Sequence, residues 1–207
     1  MGMKGNEELV LNLLSQGYIK SKKVRDAFLS VDRAVFVLPE YKDMAYEDTP
    51  LPILNNQTIS APHMVAMMTE LLELNGREKV LEIGSGSGYQ AAIISRLAKF
   101  VYTVEIDHEL VEMAKANLKR CSIKNVKVIV GDGAKGYENA KPYDRVIVTC
   151  ATPKIFDSWL NQLTKNGILL APVNAGFYQK LVKVIKKDNK IYKEMHGLCS
   201  FVPLRRE

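Results

Sequence analysis

The chain has 207 residues, 47% of them hydrophobic, and a formal net charge of +6. That suffices for one large domain with a full core, and excludes a disordered or fibrous chain. Three cysteines, Cys121, Cys150 and Cys199, lie far apart with no C-x-x-C pair. They exclude a disulfide framework and point to reduced thiols in a cytoplasmic protein. No apolar run approaches membrane-spanning length and no apolar signal core opens the chain, so no membrane role is expected.

Residues 1–78 read as a helical extension packed on the core formed by residues 79–207, the two making one compact unit. Residues 7–14 suggest a short helix ending near Gly17. Ser21 is placed to cap a helix over 22–31, in which Val24, Ala27, Phe28 and Val31 share one face. Residues 39–56 contain three prolines and read as an ordered loop or hairpin. A third helix is expected over 62–74, with Pro62 at its start and Gly76 just past its end.

From Lys79 the period changes. Strands near 80–83, 101–105, 126–130 and 144–149 alternate with helices near 89–98, 108–120 and 154–164, and a fifth strand is expected over 167–173. This is the pattern of an α/β, doubly wound, mostly parallel sheet. Residues 179–186 and 190–195 read as a hairpin turning at Lys187, Asp188 and Asn189, with a further extended run over 198–203. An antiparallel C-terminal edge is therefore expected. Lysines are scattered except around Lys183, Lys186, Lys187, Lys190 and Lys193, a cluster that reads as solvated surface rather than a nucleic-acid patch.

The most informative stretch follows the strand at 80–83. Gly84, Gly86 and Gly88 alternate, with Ser85 and Ser87 between them, before a helix start. Such a turn lets a nucleotide-like ligand approach the backbone and the free N–H groups of the helix. The spacing departs from the dinucleotide fingerprint G-x-G-x-x-G, and the lysine of a P-loop is missing. With Glu82 two residues ahead of Gly84, the run resembles the first motif of class I S-adenosylmethionine-dependent methyltransferases. Two more acids sit at strand ends. Glu105, followed by Ile106, is expected to accept from both ribose hydroxyls. Asp132, flanked by Gly131 and Gly133, is expected to accept from the adenine amino group.

Ser60 lies just before a proline-containing helix start. It reads either as an N-cap or as part of an anion site formed by residues 58–63. His63 reads by itself as a packing or hydrogen-bonding residue. The run Ile59, Ser60, Ala61, Pro62, His63, Met64 is similar to the signature of protein-L-isoaspartate O-methyltransferases. The likeness continues through 81–88, through Gly131, Asp132 and Gly133 with Gly136 and Tyr137, and through Pro142, Tyr143 and Asp144. It extends over Ala151, Thr152 and Pro153, over Gln162, Leu163 and Gly167, over Ala171, Pro172 and Val173, and over 201–204. One departure is Asn174, where that family usually has Gly.

The resemblance implies methyl transfer from S-adenosylmethionine to the free α-carboxylate of L-isoaspartyl residues in damaged proteins and peptides. Neither nucleic acid nor a metal is implied. An exposed carboxylate is already ionised near neutral pH, so no general base is needed. Ser60 is expected to hold and aim it, Thr58, Ile59 and His63 to line its pocket, and the run Val202, Pro203 and Leu204 to grip the substrate backbone as an extended edge. The nearest rival is a methyltransferase acting on RNA or a small molecule. An NAD-dependent enzyme or a non-catalytic ligand-binding module are more distant ones.

Overall fold

The computed structural model describes residues 2–187 and 190–206, so Asp188 and Asn189 of the expected hairpin turn lie outside the described residues. Helix α1 spans Gly2–Ser15, starting earlier than the expected residue 7. No proline interrupts that turn, and the buried Asn6 side chain ties it to the Phe28 carbonyl at 3.0 Å. Helix α2, Lys22–Leu29, is capped by Ser21, whose hydroxyl accepts from Val24 N–H. Leu9, Leu13, Val24, Phe28 and Val31 meet in one buried cluster.

The proline-rich stretch forms 3-10 turns at Pro39–Met44 and Leu54–Asn56 around a minimal hairpin. In it β1, Leu51–Pro52, pairs antiparallel with β2, Thr58–Ile59. Helix α3 covers Pro62–Leu71, three residues short of the expected end. Glu73 takes a positive φ of 53°, and this reversal turns Leu72 and Leu74 into the core.

The main sheet begins with β3, Lys79–Ile83, followed by α4, Tyr89–Ser95. Strand β4, Phe100–Glu105, leads to α5, His108–Arg120, and β5, Val126–Val130. Strand β6, Tyr143–Val148, precedes α6, Asp157–Gln162, which is shorter than expected. Its last turn is surrendered to β7, Leu163–Ala175, which begins four residues before the expected 167. Pairing runs Tyr143↔Leu163 and then Arg145↔Ile168, so residues 164–167 are accommodated as a bulge.

Strands β8, Tyr178–Lys187, and β9, Lys190–Cys199, complete the sheet. The order is β5-β4-β3-β6-β7-β8-β9, with β3 to β7 parallel and the last two strands antiparallel. The expected edge is there, but the extended run over 198–203 is not one strand. Residues past Cys199 leave β9 and cross back, and Ala151 N–H reaches the Val202 carbonyl while Leu204 N–H reaches the Ala151 carbonyl, both at 2.8 Å.

The lysine cluster is less solvated than expected. Lys183 is buried against Glu73, and Lys186 donates to the Leu160 and Leu163 carbonyls at 2.8 and 3.0 Å. Strand β8 is interior to the sheet, so its side chains meet neighbours on both sides. Asn174 sits within β7 opposite Gln179, and the reversal falls beyond it, where Gly176 has φ 75°. Among the described residues no helix is long and apolar enough to cross a membrane.

Neighbouring strands β3 and β6 send their connections to opposite sides of the sheet, which opens a crevice beyond their carboxyl ends. The glycine turn leaves β3 at this point and Thr149 follows β6.

Candidate active site

A cavity of about 740 Å³, counting its open mouth, occupies that crevice. Of the residues expected from sequence, Gly84, Ser85, Gly86, Ser87, Glu105, Ile106 and Gly133 line it, as do Thr58, Ile59, Ser60 and Val202. Gly84 must be glycine twice over. Its φ is 94°, and a Cβ there would stand 2.7 Å from the Thr149 hydroxyl. That hydroxyl donates to the Ile83 and Gly84 carbonyls at 3.0 and 2.6 Å, pinning the turn to the end of β6.

Glu82, Gly88 and Asp132 do not line the cavity; they support it. Gly88 is the N-cap of α4 with φ 88°, pressed against Ala114 of α5. Asp132 is buried, and its carboxylate accepts from Ala134 N–H at 2.9 Å, holding the turn that presents Gly133. Glu82 is fully buried within β3, and neither of its carboxyl oxygens has a hydrogen-bond partner. Burial pushes its pKa up to about 8, the nearby Thr103 hydroxyl opposes this, and the Glu105 charge adds to it. The Thr103 hydroxyl itself pairs with Ser85 at 2.7 Å.

Glu105 ends β4 as expected, but much of its capacity is already used. It accepts from Gly86 N–H at 3.0 Å, Ile106 N–H at 2.9 Å and Asp107 N–H at 3.2 Å. A carboxylate has about four lone-pair sites, so an incoming pair of ribose hydroxyls would have to share with Gly86. Cys150 lines the cavity too. Its thiol is pushed up to about 12 by burial and by the charges of Glu105 and Glu82, so it is no nucleophile at neutral pH.

A second cavity adjoins the first. It is lined by Ser60, Ala61, His63 and Met64 on one side and by residues 198–202 on the other. Thr58, Ser60, Thr149 and Val202 line both cavities, and so form the wall between them. Ser60 is not a cap. The N-cap of α3 is Ala61, with no side-chain cap bond. The helix takes its acceptor from Asp48 instead, which receives His63 N–H at 2.8 Å and faces His63 Nδ1 at 2.9 Å. The Ser60 hydroxyl is thereby not used as a cap.

Sequence reasoning missed Thr149, Tyr89 and Arg205 as lining residues, whereas Pro203 and Leu204 of the expected 202–204 run do line the cavity. Thr149 stands immediately after a strand adjoining the switch point, a position that could have flagged it. Arg205 carried no signal, since its place depends on the chain crossing back over the sheet. Among the described residues no group of three or more His, Cys, Asp or Glu could hold a metal ion.

The glycine turn at a topological switch point, the strand-end acid Glu105 and the adjoining second cavity are the arrangement of a class I S-adenosylmethionine-dependent methyltransferase. The family described as protein-L-isoaspartate(D-aspartate) O-methyltransferase matches residues 3–207, and the chain belongs to it. A protein-L-isoaspartate O-methyltransferase of Dictyoglomus turgidum is 48% identical over 99% of this chain and 93% of that protein. A solved protein-L-isoaspartate O-methyltransferase matches at 30% identity with a TM-score of 0.86, over 96% of this chain and 65% of its own. A Plasmodium falciparum structure described as the same enzyme, solved with S-adenosyl-L-homocysteine, has a TM-score of 0.86 at 26% identity. It matches over 98% of this chain and 99% of its own.

Proposed function

We propose that the two cavities are the donor and acceptor halves of one methyl-transfer site, with Ser60 at the wall between them. The enzyme moves a methyl group from S-adenosylmethionine to the α-carboxylate of L-isoaspartyl residues in damaged proteins and peptides. The observation that carries the site assignment is Ser60, which lines both cavities and is released from capping by Asp48.

The residues present fit the donor. The glycine turn gives close backbone approach, Glu105 is a strand-end acceptor, and Glu82 is a buried carboxyl with no partner beneath the turn. Residues 84–87, Glu105, Ile106 and Gly133 would hold it, with Glu82, Gly88 and Asp132 behind them. S-Adenosylmethionine supplies a methyl group on a sulfonium leaving group.

The protein's part is capture and aim. Ser60 donates a hydrogen bond to the peptide carboxylate and orients it towards the donor half. Thr58 and His63 enclose the carboxylate, Ile59 lies on the donor side of the wall, and Val202 meets the peptide backbone. The carboxylate is its own nucleophile, so no side chain has to remove a proton. Orientation in a partly closed site is the main catalytic resource, and it supplies several kcal/mol. The backbone nitrogen of the following residue can then attack the methyl ester and expel methanol, closing a succinimide whose hydrolysis returns part of the chain to normal aspartate.

Isoaspartyl polypeptides are the partners, with no role for nucleic acid. The three free thiols suit a reducing, cytoplasmic setting. The test is transfer of labelled methyl to an isoaspartyl peptide and to its normal aspartyl twin. Labelling of the first alone is expected; equal labelling, or labelling of neither, overturns the reading.

A further inference from the structure

Arg33 is the most deeply buried cation among the described residues, with 0% exposure, and it forms no ion pair there. Burial lowers its pKa, partly countered by the Tyr89 hydroxyl and the Asp48 carboxylate nearby. Its planar head is used on main-chain carbonyls. One terminal nitrogen donates to Ala45 at 2.7 Å and Glu47 at 3.2 Å. The other donates to Thr49 at 2.9 Å and to Ser60 at 3.2 Å. Only Nε lacks a partner.

The first three carbonyls belong to the loop that carries Asp48, and the fourth is that of Ser60 itself. Asp48 in turn holds both the N–H and the ring of His63. One guanidinium therefore fixes both flanks of the α3 start: the serine directly, and the histidine through Asp48. Burying a charge against carbonyl dipoles is costly unless the geometry is well satisfied. Here that arrangement joins the extension to the acceptor cavity, while the Tyr89 hydroxyl near it belongs to the start of α4.

We infer that Arg33 is a positioning residue for the methyl acceptor, setting the aim of Ser60 and His63 without touching substrate or donor. The inference rests on the assignment of Ser60 and His63 to the acceptor half. Lysine cannot replace this arginine, because an ammonium has three donors on one centre and cannot span carbonyls on two segments.

The test is a double-mutant cycle on the full-length enzyme with Arg33→Lys and Asp48→Asn, reading kcat and KM for an isoaspartyl peptide together with S-adenosylhomocysteine affinity. Arg33→Lys is expected to lower kcat about tenfold or more, as misplaced reacting groups do, with the S-adenosylhomocysteine Kd within about twofold. The double variant is expected to lose little more than Arg33→Lys alone, because both act through one loop. Additive losses, unchanged kcat, or a Kd that worsens in step with kcat would overturn the inference. Asp48 is partly exposed, so Asp48→Asn supplies a second arm should the Arg33 variant fold poorly: a kcat loss at constant Kd is expected from it, and an unchanged kcat counts against the loop. Wild-type enzyme inert towards the peptide would instead sink the functional assignment itself.

Discussion

At the residue scale, Ser60 and Glu82 differ in what their side chains are free to do. The Ser60 hydroxyl has no structural duty, so replacing it should cost catalysis and little else. Ser60→Ala is expected to lower kcat for an isoaspartyl peptide about tenfold or more, the loss typical of one oriented donor. Calorimetry should show S-adenosylhomocysteine affinity unchanged; an unaltered kcat would remove Ser60 from the mechanism. Glu82 titrates instead. Its folded pKa of about 8 lies above the 4.5 of an unburied glutamate. Between those values the folded chain binds a proton that the unfolded chain has released, so this contribution to stability falls as pH rises through that window. Ligand-free wild type should therefore lose more thermal stability between pH 5 and pH 8.5 than Glu82→Gln, which cannot ionise. Parallel melting profiles for the two proteins would contradict the assignment.

At the element scale, two segments from distant parts of the chain meet at one carboxylate, and one of them, at Arg205, lines the first cavity. The 3-10 turn at Leu54–Asn56 contributes Asn55, held in the left-handed region with φ 57°. The C-terminal stretch contributes Arg205. Asp107 Oδ2 accepts from Asn55 at 2.8 Å and from Arg205 at 3.1 Å, while its Oδ1 caps α5. Burial would raise the Asp107 pKa, but the Leu110, Asn55 and Glu109 hydrogen bonds and the Arg205 charge together hold it below the usual value. Arg205 is half exposed, so the contact is worth at most about 1 kcal/mol. Arg205→Met and Asn55→Ala should each speed S-adenosylhomocysteine release by roughly twofold to fivefold in stopped-flow measurements, the wild-type rate itself rising with ionic strength. Release rates identical to wild type would show that these segments do not gate the cavity. This closure was not legible in the sequence, because it depends on long-range crossings that no local period encodes. The same holds for the end of α6, where strand pairing with Tyr143 overrides a helical pattern at Leu163.

At the scale of the whole molecule, the alternation of strands and helices after Lys79 was plain from hydrophobic period alone, as was the antiparallel edge. The glycine turn and Glu105 were legible because switch-point chemistry is local: a turn, a strand end, a helix start. Ser60 was ambiguous, since whether its hydroxyl serves as a cap depends on Asp48, remote in sequence and brought close by Arg33. The supporting roles of Glu82 and Asp132 were equally hidden, because sequence places a residue in or just past a strand without telling which way its side chain faces. Ligand binding should draw these parts together. Because the donor cavity is lined by residues from 57 to 205, S-adenosylhomocysteine at 100 times its Kd should stabilise the fold by about 2.7 kcal/mol, raising Tm by roughly 5–10 °C. The most direct measurement is a crystal structure of the enzyme with S-adenosylhomocysteine and an isoaspartyl peptide together. The account predicts the cofactor's sulfur beside the 84–88 turn, the peptide α-carboxylate facing it, and the Ser60 hydroxyl bonded to that carboxylate. A carboxylate seated elsewhere with Ser60 untouched, or a cofactor lying outside the glycine turn, would contradict it.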